Sequence, residues 1–126
     1  MTTLAQLWEQ TTITRELWEQ IVSACRPEQA SEYRRKRARR PGTLGPVELA
    51  FDQGGRVVVQ TGSLLNVSSN GVMIKQREEI SSDTTVMMRA TPCGETAVLK
   101  GRVIHCTETV GGFKVGVELQ FTGEGD

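Results

Sequence analysis

The last stretch of the chain has the plainest pattern. Phe113, Val115, Val117, Leu119 and Phe121 are apolar, and Lys114, Gly116, Glu118 and Gln120 stand between them. Apolar positions at period two predict a half-buried antiparallel strand. Shorter β-type runs fill the sequence from residue 41 onward. Val47-Glu-Leu-Ala-Phe51 alternates, and Asp52-Gln-Gly-Gly55 predicts a turn into Arg56-Val-Val-Val-Gln60. Leu64-Leu-Asn-Val67 and Val72-Met-Ile-Lys75 read as short strands on either side of Asn70-Gly71, a strong hairpin signal. Thr85-Val-Met-Met-Arg-Ala90 and residues 97–106 follow. About six short strands with no helical period between them predict a mainly β, antiparallel barrel or sandwich. Closure into a barrel would also remove exposed strand edges.

The first part of the chain has another texture. Residues 3–38 hold no Gly and are rich in Leu, Glu, Gln, Arg and Ala, all good helix formers. Thr3-x-x-Gln6 reads as a capping box opening a short helix with Leu4, Leu7 and Trp8 on one side. Thr12 or Thr14 caps a second helix carrying Leu17, Trp18, Ile21 and Cys25, which Pro27 ends. Pro27 also suits the first position of a third helical piece that runs into Tyr33. Leu-Trp-Glu-Gln occurs at 7–10 and again at 17–20. Ten residues on one helix would rotate the second copy by about 80°, so two short helices are expected rather than one. The reading divides the chain into short N-terminal α-helices over 1–32 and a β-barrel region over 33–122. Trp8 and Trp18 are expected to pack within the molecule; the alternative is a surface for a protein partner.

A chain of 126 residues, 37% apolar and 24% charged, suits one ordinary domain. No apolar run approaches the ~18–20 residues that span a bilayer, so no membrane role is expected. The N-terminus lacks the basic start and apolar middle of a signal peptide, and the expected location is cytoplasmic. The formal net charge of zero conceals an uneven distribution. Residues 31–40 hold six basic groups and one acid, leaving nine basic and fourteen acidic groups elsewhere. A compact cationic tract on an acidic body points to a local anionic partner, not to a protein that coats long polyanions.

Enzyme chemistry has little support. Cys25, Cys93 and Cys106 show no C-x-x-C spacing and are expected to be reduced packing residues. His105 beside Cys106 is the only histidine, and adjacent strand residues face opposite ways, which makes a poor metal site. No G-x-S-x-G or flanking acid supports a triad around His105. The expectation is a binding protein with no catalytic residues, no metal and no cofactor.

Two constellations carry the binding chemistry. In Asn66-Val67-Ser68-Ser69-Asn70-Gly71, the turn accounts for Asn70 and Gly71. It does not account for Asn66 and Ser68, which lie two apart and face the same way. An Asn amide and a Ser hydroxyl on one face can read the polar edge of a planar base. The basic tract reads in the first instance as a solvated charge run or a nonspecific arm. Yet Arg35-Lys36-Arg37-Ala38-Arg39 sets two guanidiniums four apart, with Arg34 before them. The planar fork of guanidinium suits phosphate and guanine O6/N7, and it stacks on purines.

In this order and spacing the two motifs resemble the PilZ domain family, whose signature is R-x-x-x-R before the first strand and [DN]-x-S-x-x-G later. The resemblance extends through Pro46-Val47 and Gly116-Val-Glu-Leu-Gln-Phe121, roughly residues 33–121. It implies a six-stranded antiparallel PilZ-like β-barrel and a receptor for the bacterial second messenger cyclic di-GMP. By analogy, Arg35 and Arg39 clamp guanine and phosphate from the arm, while Asn66 and Ser68 contact a guanine edge. Gly71 allows backbone to approach closely, and Arg34 serves a second, intercalated ligand molecule, with Arg40 a weaker candidate. Lys36 and Arg40 share the four-residue spacing, so the register within 34–40 is open. Many members of the family continue past the last strand into a helix packed on the barrel, whereas five residues follow Phe121 here. The N-terminal helices either take that place or dock on an unidentified protein partner.

Two other functions use the same features. A small-barrel RNA- or single-stranded-DNA-binding protein would use the basic arm but stack bases on surface aromatics. The β region offers only Phe51, Phe113 and Phe121, and the last two lie on the core-facing row. A ligand-independent PilZ-like adaptor would have little use for both motifs.

Overall fold

The protein is described by a computed structural model over residues 13–25, 44–92, 94 and 96–121. The predicted helix around Leu4, Leu7 and Trp8, the predicted piece beyond Pro27 and the whole basic tract lie outside these residues.

Helix α1 spans Arg15–Ala24. Thr14 is its N-cap, extended at φ −82° and ψ 161°, and its hydroxyl accepts from the Leu17 N–H at 3.4 Å. Trp18 and Ile21, one turn apart, are buried, with Val22 and Cys25 packed beside them. Leu17 departs from the expected apolar face: it is half exposed, because Trp18 rather than Leu17 turns toward the barrel. Cys25 caps the far end and is disulfide-bonded, which corrects the expectation that all the cysteines are reduced. Cys106 is free.

Six strands follow: β1 (Pro46–Gln53), β2 (Arg56–Val67), β3 (Gly71–Gln76), β4 (Thr85–Ala90), β5 (Ala97–Thr109) and β6 (Gly112–Gln120). They close into an antiparallel barrel in the order β1-β2-β3-β6-β5-β4. The seam between β1 and β4, from Val47↔Ala90 to Phe51↔Val86, leaves neither strand with an open edge. Leu49, Leu64, Ile74, Met88, Leu99, Val103, Val115 and Val117 fill the interior, and Trp18 and Ile21 of α1 belong to the same core. Helix and barrel therefore fold around one core.

Two glycine positions explain where the pattern reading was right and where it was not. Gly54 and Gly55, at φ +60° and +86°, form the predicted turn, with Gln53 paired to Arg56. Two successive positive φ values are what a type I′ hairpin needs. The pattern predicts two short strands, one ending at Gln60 and one starting at Leu64, yet β2 runs unbroken from Arg56 to Val67 through Gly62. A Cβ at Gly62 would meet the Lys75 carbonyl oxygen at 2.7 Å, so glycine here admits the neighbouring strand and does not turn the chain.

Strand β2 contains the feature that positions the site. Its pairing with β3 runs Ser63↔Lys75 and Leu64↔Ile74, then Asn66↔Met73 and Val67↔Val72. Leu65 is the extra residue of a β-bulge. A second bulge, at Ile104, interrupts β5 against β6.

Candidate ligand-binding site

Strict alternation from buried Leu64 would send Asn66 and Ser68 into the barrel and Val67 out. The bulge at Leu65 reverses this. Val67 packs against the core, while Asn66 and Ser68 are exposed. The same-face prediction for Asn66 and Ser68 thus agrees with their common exposure at the rim, for a reason that the period alone does not contain.

The turn beyond them is held from several sides. The Ser68 N–H donates to the Gly71 carbonyl at 2.9 Å, and the Ser68 hydroxyl reaches the same oxygen at 3.3 Å. The Asn70 carbonyl accepts from the Leu119 N–H at 2.8 Å, which ties the turn to β6. A Cβ on Gly71 would lie 2.7 Å from the Val117 carbonyl oxygen. Close approach at Gly71 is thus made by β6, whatever it also allows a ligand.

Helix α1 lies over this turn. The Trp18 indole N–H donates to the Ser68 carbonyl at 2.8 Å. Arg15, one turn earlier, donates from Nη1 to Asn70 Oδ1 at 3.0 Å, and its guanidinium carbon sits 4.5 Å from the centre of the Phe121 ring. Motif reading missed Arg15 and Phe121 as neighbours of the candidate site, and it gave Asn70 no role beyond the turn. The only trace in the sequence is the three-residue step from Arg15 to Trp18, which puts both on one helix face.

The strand beside the turn brings one acid. Gly71 pairs with Glu118 of β6, and Glu118 pairs in turn with Arg102 of β5, Nη2 to Oε1 at 3.4 Å. Arg102 also faces Asp83 at 3.8 Å. All three side chains are largely exposed, so these are screened contacts that balance charge more than they stabilise the fold.

Arg34, Arg35 and Arg39 lie outside the described residues, as does Arg40. The structure therefore displays the barrel half of the predicted site: Asn66, Ser68 and Gly71. His105 is exposed against Gly116, and Cys106 packs toward the core. Among the described residues no group of His, Cys, Asp and Glu could hold a metal ion, and no helix is long and apolar enough to cross a membrane.

The PilZ domain family model matches residues 33–126, three quarters of the chain. This chain belongs to the PilZ domain family. Members are ligand-binding regulatory domains, generally receptors for cyclic di-GMP. Among solved structures, the chain is similar to the crystal structure of the PilZ domain of CeSA from a cellulose-synthesizing bacterium. The two are 27% identical with a TM-score of 0.48, over 67% of this chain and 81% of that one. No curated protein is significantly similar.

Proposed function

We propose that this PilZ domain is a cytoplasmic receptor for cyclic di-GMP that needs no cofactor and catalyses no reaction. Asn66 and Ser68 read a guanine edge from the rim of the barrel. Arg35 and Arg39 bring their guanidiniums from the preceding arm to guanine and phosphate, and Arg34 meets the second molecule of a stacked pair. The observation that supports this most directly is the bulge at Leu65, which presents Asn66 and Ser68 to solvent together in a chain of this family. The charges also suit the ligand. A stacked pair of cyclic dinucleotides carries four phosphodiester charges, and the basic tract has a surplus of five.

Binding draws the arm onto the barrel, and the altered surface or helix is what a protein partner reads. About ten extended residues reach roughly 33 Å, enough to cross one barrel face. The nucleic-acid reading is disfavoured by the aromatics. Phe51 and Phe121 are buried and Phe113 packs against the core, so no described phenylalanine offers an open stacking platform.

Calorimetric titration with cyclic di-GMP, cyclic di-AMP, GTP and a short oligonucleotide tests the proposal. Cyclic di-GMP should bind alone, because adenine presents a donor where bidentate arginine needs the O6 acceptor. Hydrogen exchange at residues 33–42 should slow on its addition. The Arg35→Lys/Arg39→Lys double variant keeps the charge but loses the fork, and should not bind. Equal binding of cyclic di-AMP, or full binding by the double lysine variant, would reduce the arm to a nonspecific cation.

A further inference from the structure

We propose that Arg15 is a further ligand-binding residue, a guanidinium that the N-terminal helix delivers to the phosphodiester of the bound cyclic dinucleotide. The inference rests on the receptor reading above and extends it to a segment outside both family motifs.

Three observations carry it. First, Arg15 is already at the rim. Its Nη1 is 3.0 Å from Asn70 Oδ1, and Asn70 belongs to the turn that Ser68 and Gly71 close. Secondly, its position is supported. The guanidinium carbon lies 4.5 Å from the centre of the Phe121 ring, a cation–π contact that favours this position of the side chain. Thirdly, the helix that carries it cannot drift. One turn on, Trp18 is fully buried in the common core and bonded to the Ser68 carbonyl at 2.8 Å. Arg15 and Trp18 thus both reach the same turn from one face of α1, Trp18 at the Ser68 carbonyl and Arg15 at the Asn70 side chain.

The chemistry follows from that placement. A guanidinium fork donates two parallel hydrogen bonds to an anionic phosphate, and these are stronger than a bond to a neutral amide. An anion arriving at Asn66 and Ser68 therefore offers phosphodiester oxygens to an Arg15 fork that already stands at the rim of the turn. A side chain held in place beforehand loses little freedom in binding them. The helix becomes part of the binding site as well as part of its support.

Titration of the full chain with cyclic di-GMP, for the parent, Arg15→Ala, Asn70→Ala and the double variant, tests this. Arg15→Ala should weaken binding by roughly ten- to a hundredfold, as for loss of a charged hydrogen-bonding partner, and flatten the salt dependence. Asn70→Ala removes one of the contacts Arg15 makes at rest but keeps the guanidinium, so its loss should be clearly smaller and the salt dependence should match the parent. Trp18 emission, compared between parent and variants in a Trp8→Phe background, reports whether α1 stays docked; the expected result is no shift. Unchanged affinity in Arg15→Ala overturns the inference and leaves the receptor intact. Equal losses in Arg15→Ala, Asn70→Ala and the double variant also overturn it, because Arg15 would then act only as a brace for the turn. A red-shifted Trp18 emission in Arg15→Ala, with affinity restored by Arg15→Gln, overturns it as well. A parent that does not bind cyclic di-GMP overturns the receptor reading itself, and Arg15 with it.

Discussion

The indole nitrogen of Trp18 donates to the carbonyl oxygen of Ser68 at 2.8 Å, from a side chain with no solvent exposure. One residue thus fills the barrel core and satisfies a backbone acceptor in the turn that carries the candidate ligand motif. Two kinds of loss can be separated. Trp18→Phe keeps most of the volume but leaves the Ser68 carbonyl without this donor, at a cost of about 1–3 kcal/mol. Trp18→Ala also opens a cavity and should cost about 3–5 kcal/mol. Urea unfolding should rank parent, Phe and Ala in that order. If Trp18→Ala unfolds with the parent, α1 is not part of the folded core.

Gly71 and Ser68 belong to the same motif but should fail differently. Gly71→Ala sets a Cβ 2.7 Å from the Val117 carbonyl oxygen, and the β3–β6 pairing must give way. Overpacking of this kind costs about 1–3 kcal/mol, so Gly71→Ala should lower the melting temperature and weaken binding together. Ser68→Ala removes an exposed hydroxyl and should leave melting nearly unchanged while weakening binding by about fivefold, roughly 1 kcal/mol. The comparison needs only melting curves and titrations of the two variants. A Gly71→Ala protein with parental melting would contradict the close approach of β6.

Glu118 is the described carboxylate paired directly opposite Gly71, and Arg102 neutralises it from the next strand. Arg102→Gln should therefore leave a negative charge beside an anionic ligand. Both groups are largely exposed, so the effect on affinity should be a few-fold and should shrink as salt rises above the physiological range. Arg102→Gln/Glu118→Gln should recover parental binding. Failure of that recovery would mean that Arg102 matters for some reason other than shielding Glu118.

The disulfide at Cys25 gives a chemical signature. Alkylation of the unfolded, unreduced protein followed by peptide mapping should label Cys106 and spare Cys25. Reduction before labelling should make all three cysteines reactive. A native disulfide of this kind typically contributes about 2–4 kcal/mol, so the reduced protein should melt at a lower temperature. Labelling of Cys25 without reductant would show that the helix end is held by packing alone.

The fold was legible wherever local chemistry and tertiary role agree. Thr85–Ala90 is a strand in both readings, and the alternation from Phe113 onward marks β6 because the pattern of burial is the pattern of the strand. The two strands expected at 56–60 and 64–67 are one, and the Lys75 carbonyl 2.7 Å from the would-be Cβ of Gly62 shows that glycine between them admits the neighbouring strand. The shared outward face of Asn66 and Ser68 was legible from their spacing. The contact between Arg15 and Asn70 was not, since it spans 55 residues and depends on how α1 docks. No short-range pattern records that distance. The three cysteines carried no spacing signal either, and a bond at Cys25 follows from the position of the helix end, which is a tertiary fact.

The bulge in β2 has a consequence for how the strand tolerates change in length. Loss of one residue is ordinarily among the most damaging events in a strand, because every side chain beyond it moves to the other face. Here Leu65 is already supernumerary against β3. Without it, Leu64, Asn66, Val67 and Ser68 would fall inward, outward, inward and outward by simple alternation, which is the arrangement they already have. The strand thus contains a place where it can be shortened without being turned over, just before the residues a ligand would meet. What the shorter strand would lose is the added bend, and with it the angle at which Asn66 and Ser68 are offered.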